Sequence, residues 1–264
     1  MAGSVTLERG GPGGHRARVR LANFGKLNAI DVAMWGALRA VFERLQALPA
    51  ADAPSAVIVC GDGGQFASGG DIHEFAGFRF DESRLHHFHE HIVAPALHAM
   101  LDCDIPTLAQ IEGACIGGGL EIAACCDIRV CGQGSRFGAP IAKLGFPMAP
   151  SELQVLRRVV AAPVLREMLL EARLLDATTA LRLGLVHEVA GDERVPERTA
   201  QRADALTVLS PQAARINKRT LRQLEQGGPS PAERRAHFGY AASAEHIEGV
   251  TAFIEKRPAR FGRD

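Results

Sequence analysis

Aromatic residues are scarce in this chain, and neither sign of charge dominates. Of its 264 residues one is Trp and one is Tyr, and aromatics make up 5%. Reading single-stranded nucleic acid by base stacking needs aromatic platforms, so this composition argues against it. Thirty Lys and Arg balance thirty Asp and Glu, giving a formal net charge of zero. Nothing in that balance attracts a nucleic acid or an anionic membrane in bulk. No apolar run approaches the roughly 18 residues of a spanning helix, and no cationic segment followed by an apolar run opens the sequence. The expectation is a soluble, cytoplasmic protein in a reducing compartment. Cys60, Cys103, Cys115, Cys125, Cys126 and Cys131 lie in apolar or strand-like surroundings without CxxC spacing, and read as reduced core residues. What is present is a 47% hydrophobic chain, enough for one large domain or for a core with a smaller helical appendage.

Glycine is plentiful, and two glycine-rich loops carry the chemistry. The first is Gly113-Ala114-Cys115-Ile116-Gly117-Gly118-Gly119-Leu120-Glu121, which runs into the apolar Ile122-Ala123-Ala124-Cys125-Cys126. It reads as a turn opening a buried helix. Each glycine costs a helix roughly 1 kcal/mol relative to Ala, so three together have a use. Either the helix packs tightly against a strand, or bare backbone N–H groups approach a ligand. A helix N-terminus favours an anion or a developing oxyanion, and Glu121, one turn beyond Gly118, would set a carboxylate beside it. The second loop contains Gly69-Gly70-Asp71-Ile72-His73-Glu74. Asp71 followed three residues on by Glu74 predicts a capping box, with Gly70 presenting its N–H at the start of a short helix. A plain surface turn is the alternative.

Around these loops the pattern alternates strand and helix. Residues 4–8 and 17–21 alternate as strands, and the turn-rich 9–14 between them predicts a hairpin. Apolar positions 34, 37, 38, 41, 42, 45 and 48 predict a helix capped by Asp31. The apolar runs at 56–60, 106–111 and 127–131 predict buried strands. Residues 78–101 hold His86, His87, His89, His91 and His98, which invites a metal. HExxH is absent and no Cys accompanies them, so no metal ligand is assigned and a polar helix face or pocket lining is read instead. From residue 152 onward helices are predicted at 152–160, 163–170, 177–183, 195–209, 211–225 and, with breaks, 231–253, with a short strand at 185–189.

With both loops located, the chain resembles the crotonase superfamily, also called the enoyl-CoA hydratase/isomerase family. The resemblance is carried by Lys26-Leu27-Asn28-Ala29, Phe66-Ala67-Ser68-Gly69-Gly70-Asp71-Ile72, Ile116-Gly117-Gly118-Gly119-Leu120-Glu121, Cys126-Asp127-Ile128-Arg129-Val130, Phe137-Gly138-Ala139-Pro140 and Ala252-Phe253-Ile254-Glu255-Lys256-Arg257, in that order. It implies an α/β fold of ββα units wound into a spiral over residues 1–195. Residues 196–264 would form a helical region for trimerisation, as a trimer or a dimer of trimers. The implied ligand is an acyl-CoA thioester, with coenzyme A as part of the substrate and no bound cofactor. Its thioester oxygen would sit between the N–H groups of Gly70 and Gly118, and Glu121 would be the principal acid/base. Contacts to CoA or substrate carry over to Lys26, Leu27, Ala67, Asp71, Ile72, Gly117 and Ile141, and to Phe253 and Lys256 reaching in from a neighbouring subunit. For Lys26 and Lys256 an ordinary surface lysine is the alternative.

The chain departs from the family at one functional position. The hydratases' second glutamate follows the Pro of "F-G-x-P-E", and here that residue is Ile141. Isoleucine cannot move a proton, and general acid–base catalysis contributes about 10²- to 10⁴-fold. By family weight the resemblance implies an enoyl-CoA hydratase, which hydrates a trans-2-enoyl-CoA to a 3-hydroxyacyl-CoA, and three readings stay open: Glu121 alone, in a double-bond isomerisation, other enolate chemistry or a less efficient activation of water; a replacement group, with Glu152 or a histidine of 86–98 the nearest candidates; or acyl-CoA binding with little chemistry. A few crotonase-like proteins are reported to bind RNA, which the charge balance here argues against.

Overall fold

The structure, a computed structural model, describes residues 2–11 and 15–261. Strands β1 (Ser4–Gly10) and β2 (Arg16–Ala22) form the expected antiparallel hairpin, with Ser4 opposite Ala22 and Gly10 opposite Arg16. Residues 12–14 of its turn lie outside the described residues. The apolar runs become β3 (Ala56–Gly61) and β4 (Thr107–Ile111), buried at every residue, and β6 (Ile128–Gly132), following the short β5 (Ala114–Ile116). Then come β7 (Arg136–Gly138), β8 (Leu175–Asp176) and β9 (Glu188–Ala190). Six strands make one sheet in the order β1-β2-β3-β4-β6-β9, parallel after the first hairpin, and β5-β7-β8 make a smaller second sheet. Successive turns of chain therefore place one strand in each sheet, which is the expected spiral of ββα units. The strand expected at 185–189 begins later, because the Leu185 and Val186 N–H groups both donate back to the Ala180 carbonyl of α7.

Eleven α-helices surround the sheets among the described residues: α1 (Val32–Gln46), α2 (Glu82–His87), α3 (Ala94–Asp102), α4 (Gly118–Cys125), α5 (Pro150–Leu156), α6 (Ala162–Leu170), α7 (Ala177–Arg182), α8 (Val195–Thr207), α9 (Pro211–Glu225), α10 (Pro231–His237) and α11 (Ala244–Ile254). Met34, Trp35, Leu38, Phe42 and Leu45 are the buried stripe of α1, at helical spacing. Asp31 caps α1 as expected, accepting from the Met34 N–H at 2.8 Å and also from the Gly3 N–H at 2.7 Å.

The capping box expected at Asp71 and Glu74 is not formed. The Glu74 carboxylate instead accepts from the Val32 N–H at 2.8 Å, so it serves the first turn of α1, and its own segment is a turn followed by a short 3₁₀ helix (Phe75–Gly77). An acid at a helix N-terminus satisfies the same orphan donors whether it comes from near or far in sequence.

Helix α8 packs on the large sheet, where its Ala203 meets Ala56, Ile58 and Leu108 in a second, smaller core. The division expected at 195/196 thus falls at the start of a helix that packs on the sheet. Helices α9 to α11 bury one side chain fully, Ala252. Helix α9 is moored by charge: Arg219 and Arg222 to Asp104, at 2.5 and 2.9 Å, and Lys218 to Asp127 at 2.7 Å. All six cysteines are buried and unpaired with one another. Among the described residues no helix is long and apolar enough to cross a membrane.

Candidate active site

Backbone pairing brings the two glycine loops together. Ala67 and Cys115 form an isolated bridge: the Ala67 N–H donates to the Ala114 carbonyl at 2.9 Å, and the Ile116 N–H donates to the Ala67 carbonyl at 3.1 Å. On the other side Ile30 bridges Gly70, with the Ile30 N–H donating to Gly69 and the Asp71 N–H donating to Ile30. In a parallel bridge the bonds go to the residues flanking the bridged one, so the N–H of Gly70 itself turns away and stays unspent. On the facing loop, Gly117 adopts φ 50° and ψ −118° to turn β5 into α4, a conformation side chains rarely tolerate. Gly118 is the first residue of α4, so its N–H has no acceptor within the helix. At Gly119 a Cβ would lie 2.6 Å from the Ala67 carbonyl oxygen, so only glycine permits this approach of the two loops.

Gly70, Gly117, Gly118 and Glu121 line a cavity of about 290 Å³. Glu121 is buried. That burial, and next the nearby charge of Glu152, push its carboxyl well above the ordinary carboxylate range, with Arg79 opposing. Glu152 is itself buried and lines the same cavity from the first turn of α5. Its Oε1 meets the Nδ1 of His89, which comes from a π-helical turn over Phe88–Val93 between α2 and α3. Ser151 beside it donates to Glu90 of the same turn.

Ile141 lines the cavity too, so an apolar group stands there. The structure therefore brings together both replacement candidates, Glu152 and a histidine of the 86–98 segment. His87 and His91 stack at 5.2 Å between ring centroids, as helical spacing predicts. Among the described residues no group of three or more His, Cys, Asp or Glu is arranged to hold a metal ion.

The residues expected at the nucleotide end are dispersed. Lys26 and Asp71 pair at 2.5 Å. Burial raises the Asp71 carboxyl, but the Lys26 ammonium and the His73 N–H outweigh it and leave it below the usual range. Leu27, at φ 48°, and Ile72 are exposed beside that pair, and Ile72 reaches the cavity mouth. Ala67 is fully buried with both backbone groups bonded across to the other loop, so it holds the loops together and does not line the cavity. Phe253, 86% exposed, and Lys256, at φ 56°, stand at the end of α11, outside the cavity lining. Sequence reasoning missed Trp35 and Arg79, which also line the cavity. Trp35 falls outside the apolar positions read for α1, and Arg79 belongs to no motif. The one available signal was Phe75 four residues before Arg79, the spacing at which helical neighbours meet.

Comparison with known proteins identifies the family. The family described as enoyl-CoA hydratase/isomerase matches residues 16–264. The chain is 29% identical over 252 residues to a probable enoyl-CoA hydratase of Rhizobium meliloti, covering 93% of this chain and 95% of that protein. It is 30% identical over 209 residues to one of Mycobacterium tuberculosis, covering 78% and 79%. Among solved structures, an enoyl-CoA hydratase/carnithine racemase of Magnetospirillum magneticum superposes with TM-score 0.91 at 33% identity, covering 98% of this chain and 96% of that one. An enoyl-CoA hydratase/isomerase family protein of Hyphomonas neptunium gives 0.89 at 30%, covering 98% of each. A match that runs from Arg16 to the last residue, on a spiral of ββα units, shows that this chain belongs to the enoyl-CoA hydratase/isomerase family of enzymes and has the crotonase fold.

Proposed function

We propose that the protein adds water to a trans-2-enoyl-CoA to give a 3-hydroxyacyl-CoA, with Glu152 supplying the carboxylate that is missing at Ile141. One observation carries this: Glu121 and Glu152, from two different helices, line the one cavity that also holds the free amides of Gly70 and Gly118. The thioester oxygen accepts from those two amides. As charge gathers on it, preorganised donors lower the barrier, each typically by about 10²- to 10³-fold in rate. Glu152, steadied by His89, takes a proton from water as the oxygen attacks the β carbon. Glu121, whose environment favours the protonated form, delivers its proton to the α carbon. The carboxyls then exchange protons through solvent and the site is reset.

Lys26, Leu27, Asp71 and Ile72 would form the CoA end of the site, of which Ile72 lines the cavity, and Phe253 and Lys256 would complete it from a neighbouring copy. A paired Glu152 favours hydration over isomerisation by Glu121 alone. Incubation with crotonyl-CoA and longer 2-enoyl-CoAs, followed by chromatography, separates the readings. 3-Hydroxyacyl-CoA is expected. Formation of 3-enoyl-CoA alone would assign an isomerase, and binding without turnover a non-catalytic acyl-CoA binder.

A further inference from the structure

Arg79 has no part in the steps above, and its surroundings leave it unspent. It lines the cavity that holds Glu121 and Glu152. Its guanidinium carbon lies 4.0 Å from the Phe75 ring centroid and 3.9 Å from that of Phe146, in the corner where those rings meet at 77°. Aromatic faces attract a cation but accept no in-plane hydrogen bond, so the fork of N–H groups is left over. The Nε is buried and has no partner among the described residues. Burial pulls the guanidinium below its ordinary value, and the charges of Glu152 and Glu121 act against this. Neither carboxylate is within ion-pair distance of it.

A half-buried cation whose rigid fork is open, fixed on the wall of this cavity, suits a planar anion that accepts in the plane of the fork. We propose that Arg79 binds a carboxylate carried by the acyl group away from its thioester, so that the preferred substrates are CoA half-thioesters of unsaturated dicarboxylic acids. Phe88, Val93 and Ile116 in the same wall suit the methylenes between the two ends. A hydrocarbon tail in the same place would leave the guanidinium buried against apolar atoms. Sites built to pair a polar group discriminate strongly against analogues that lack it.

The inference rests on the thioester occupying the Gly70–Gly118 end, and its test reads binding, not turnover. Trp35 is the single Trp and lines this cavity, so its fluorescence reports occupancy. Hexanoyl-CoA, the CoA half-thioester of hexanedioic acid, and the methyl ester of that half-thioester are titrated against the wild type, Arg79→Gln and Arg79→Met. The free carboxylate is expected to bind the wild type at least tenfold tighter than the other two, and both variants are expected to narrow that ratio to about twofold. Equal binding of the three by the wild type, or a preference that survives in both variants, would overturn the inference and leave the hydratase reading standing. A carboxylate preference without turnover of any enoyl-CoA would uphold the inference and overturn the hydratase reading. No binding of any of the three would overturn both.

Discussion

Glu121 is a buried carboxyl close to Glu152, and both circumstances favour its protonated form. Burial first, and Glu152 second, raise its pKa well above the ordinary value of about 4.3. The raised value favours the protonated form at pH values where an exposed glutamate is ionised, as the proposed proton donor requires. The activity that needs its proton is therefore present at low pH and lost as pH rises through the raised value. The profile of kcat/KM against pH is expected to show its alkaline limb well above the carboxylate range; a limb at ordinary glutamate pH would contradict the role. Stability follows the same sign. A folded-state pKa above the unfolded one contributes stability that is full below about pH 4 and is lost as pH rises through the folded value. The Tm of Glu121→Gln relative to wild type is thus expected to climb from acid to neutral pH, at the expense of activity.

At the scale of elements, α9 shows how a helix that buries no side chain fully stays attached. Asp104 is buried, and Arg222 and the half-exposed Arg219 converge on it. Burial raises the Asp104 carboxyl, but the two guanidiniums and Gln46 outweigh it and hold it below its usual value. Its contribution is present above the unfolded value of about 3.9 and is lost as pH falls through the lower folded value. Asp104→Asn is expected to cost roughly 2 kcal/mol at neutral pH, less than a fully buried pair because Arg219 is open to solvent. The gap from wild type in urea unfolding should close in acid, and a gap unchanged between pH 7 and pH 3 would contradict this mooring.

Elements of this kind differ in how well sequence reveals them. The stripe on α1, the Asp31 cap and the runs of β3 and β4 are local patterns and were legible, whereas the spiral was implied only by the family resemblance that the motifs carry together. The role of Glu74 was not, because its partner Val32 lies 42 residues away. The π-helical turn that aims His89 at Glu152 has no sequence period of its own. Arg79 became visible only when the fold set Phe146 against it.

The whole molecule, taken as one chain, leaves apolar surface uncovered. Leu221, Leu224, Phe238, Ile247, Phe253 and Ile254 are exposed on and around α9, α10 and α11. A trimer or a dimer of trimers built on these helices would cover them and bring Phe253 and Lys256 to a neighbouring site. Light scattering after size-exclusion chromatography is expected to give three or six copies. Ile247→Asp with Phe253→Asp should yield monomers that bind CoA thioesters more weakly. A monomeric wild type of full activity would contradict this arrangement.

The central claim joins distant parts of the chain: a carboxylate on α5 does the work that Ile141 cannot. It is tested most directly by the initial rate of crotonyl-CoA hydration by Glu152→Gln against wild type, with folding of the variant checked by circular dichroism. The expected result is a fall in kcat of about 10²- to 10⁴-fold with CoA-thioester binding retained. A folded Glu152→Gln protein that hydrates crotonyl-CoA at the wild-type rate would contradict it.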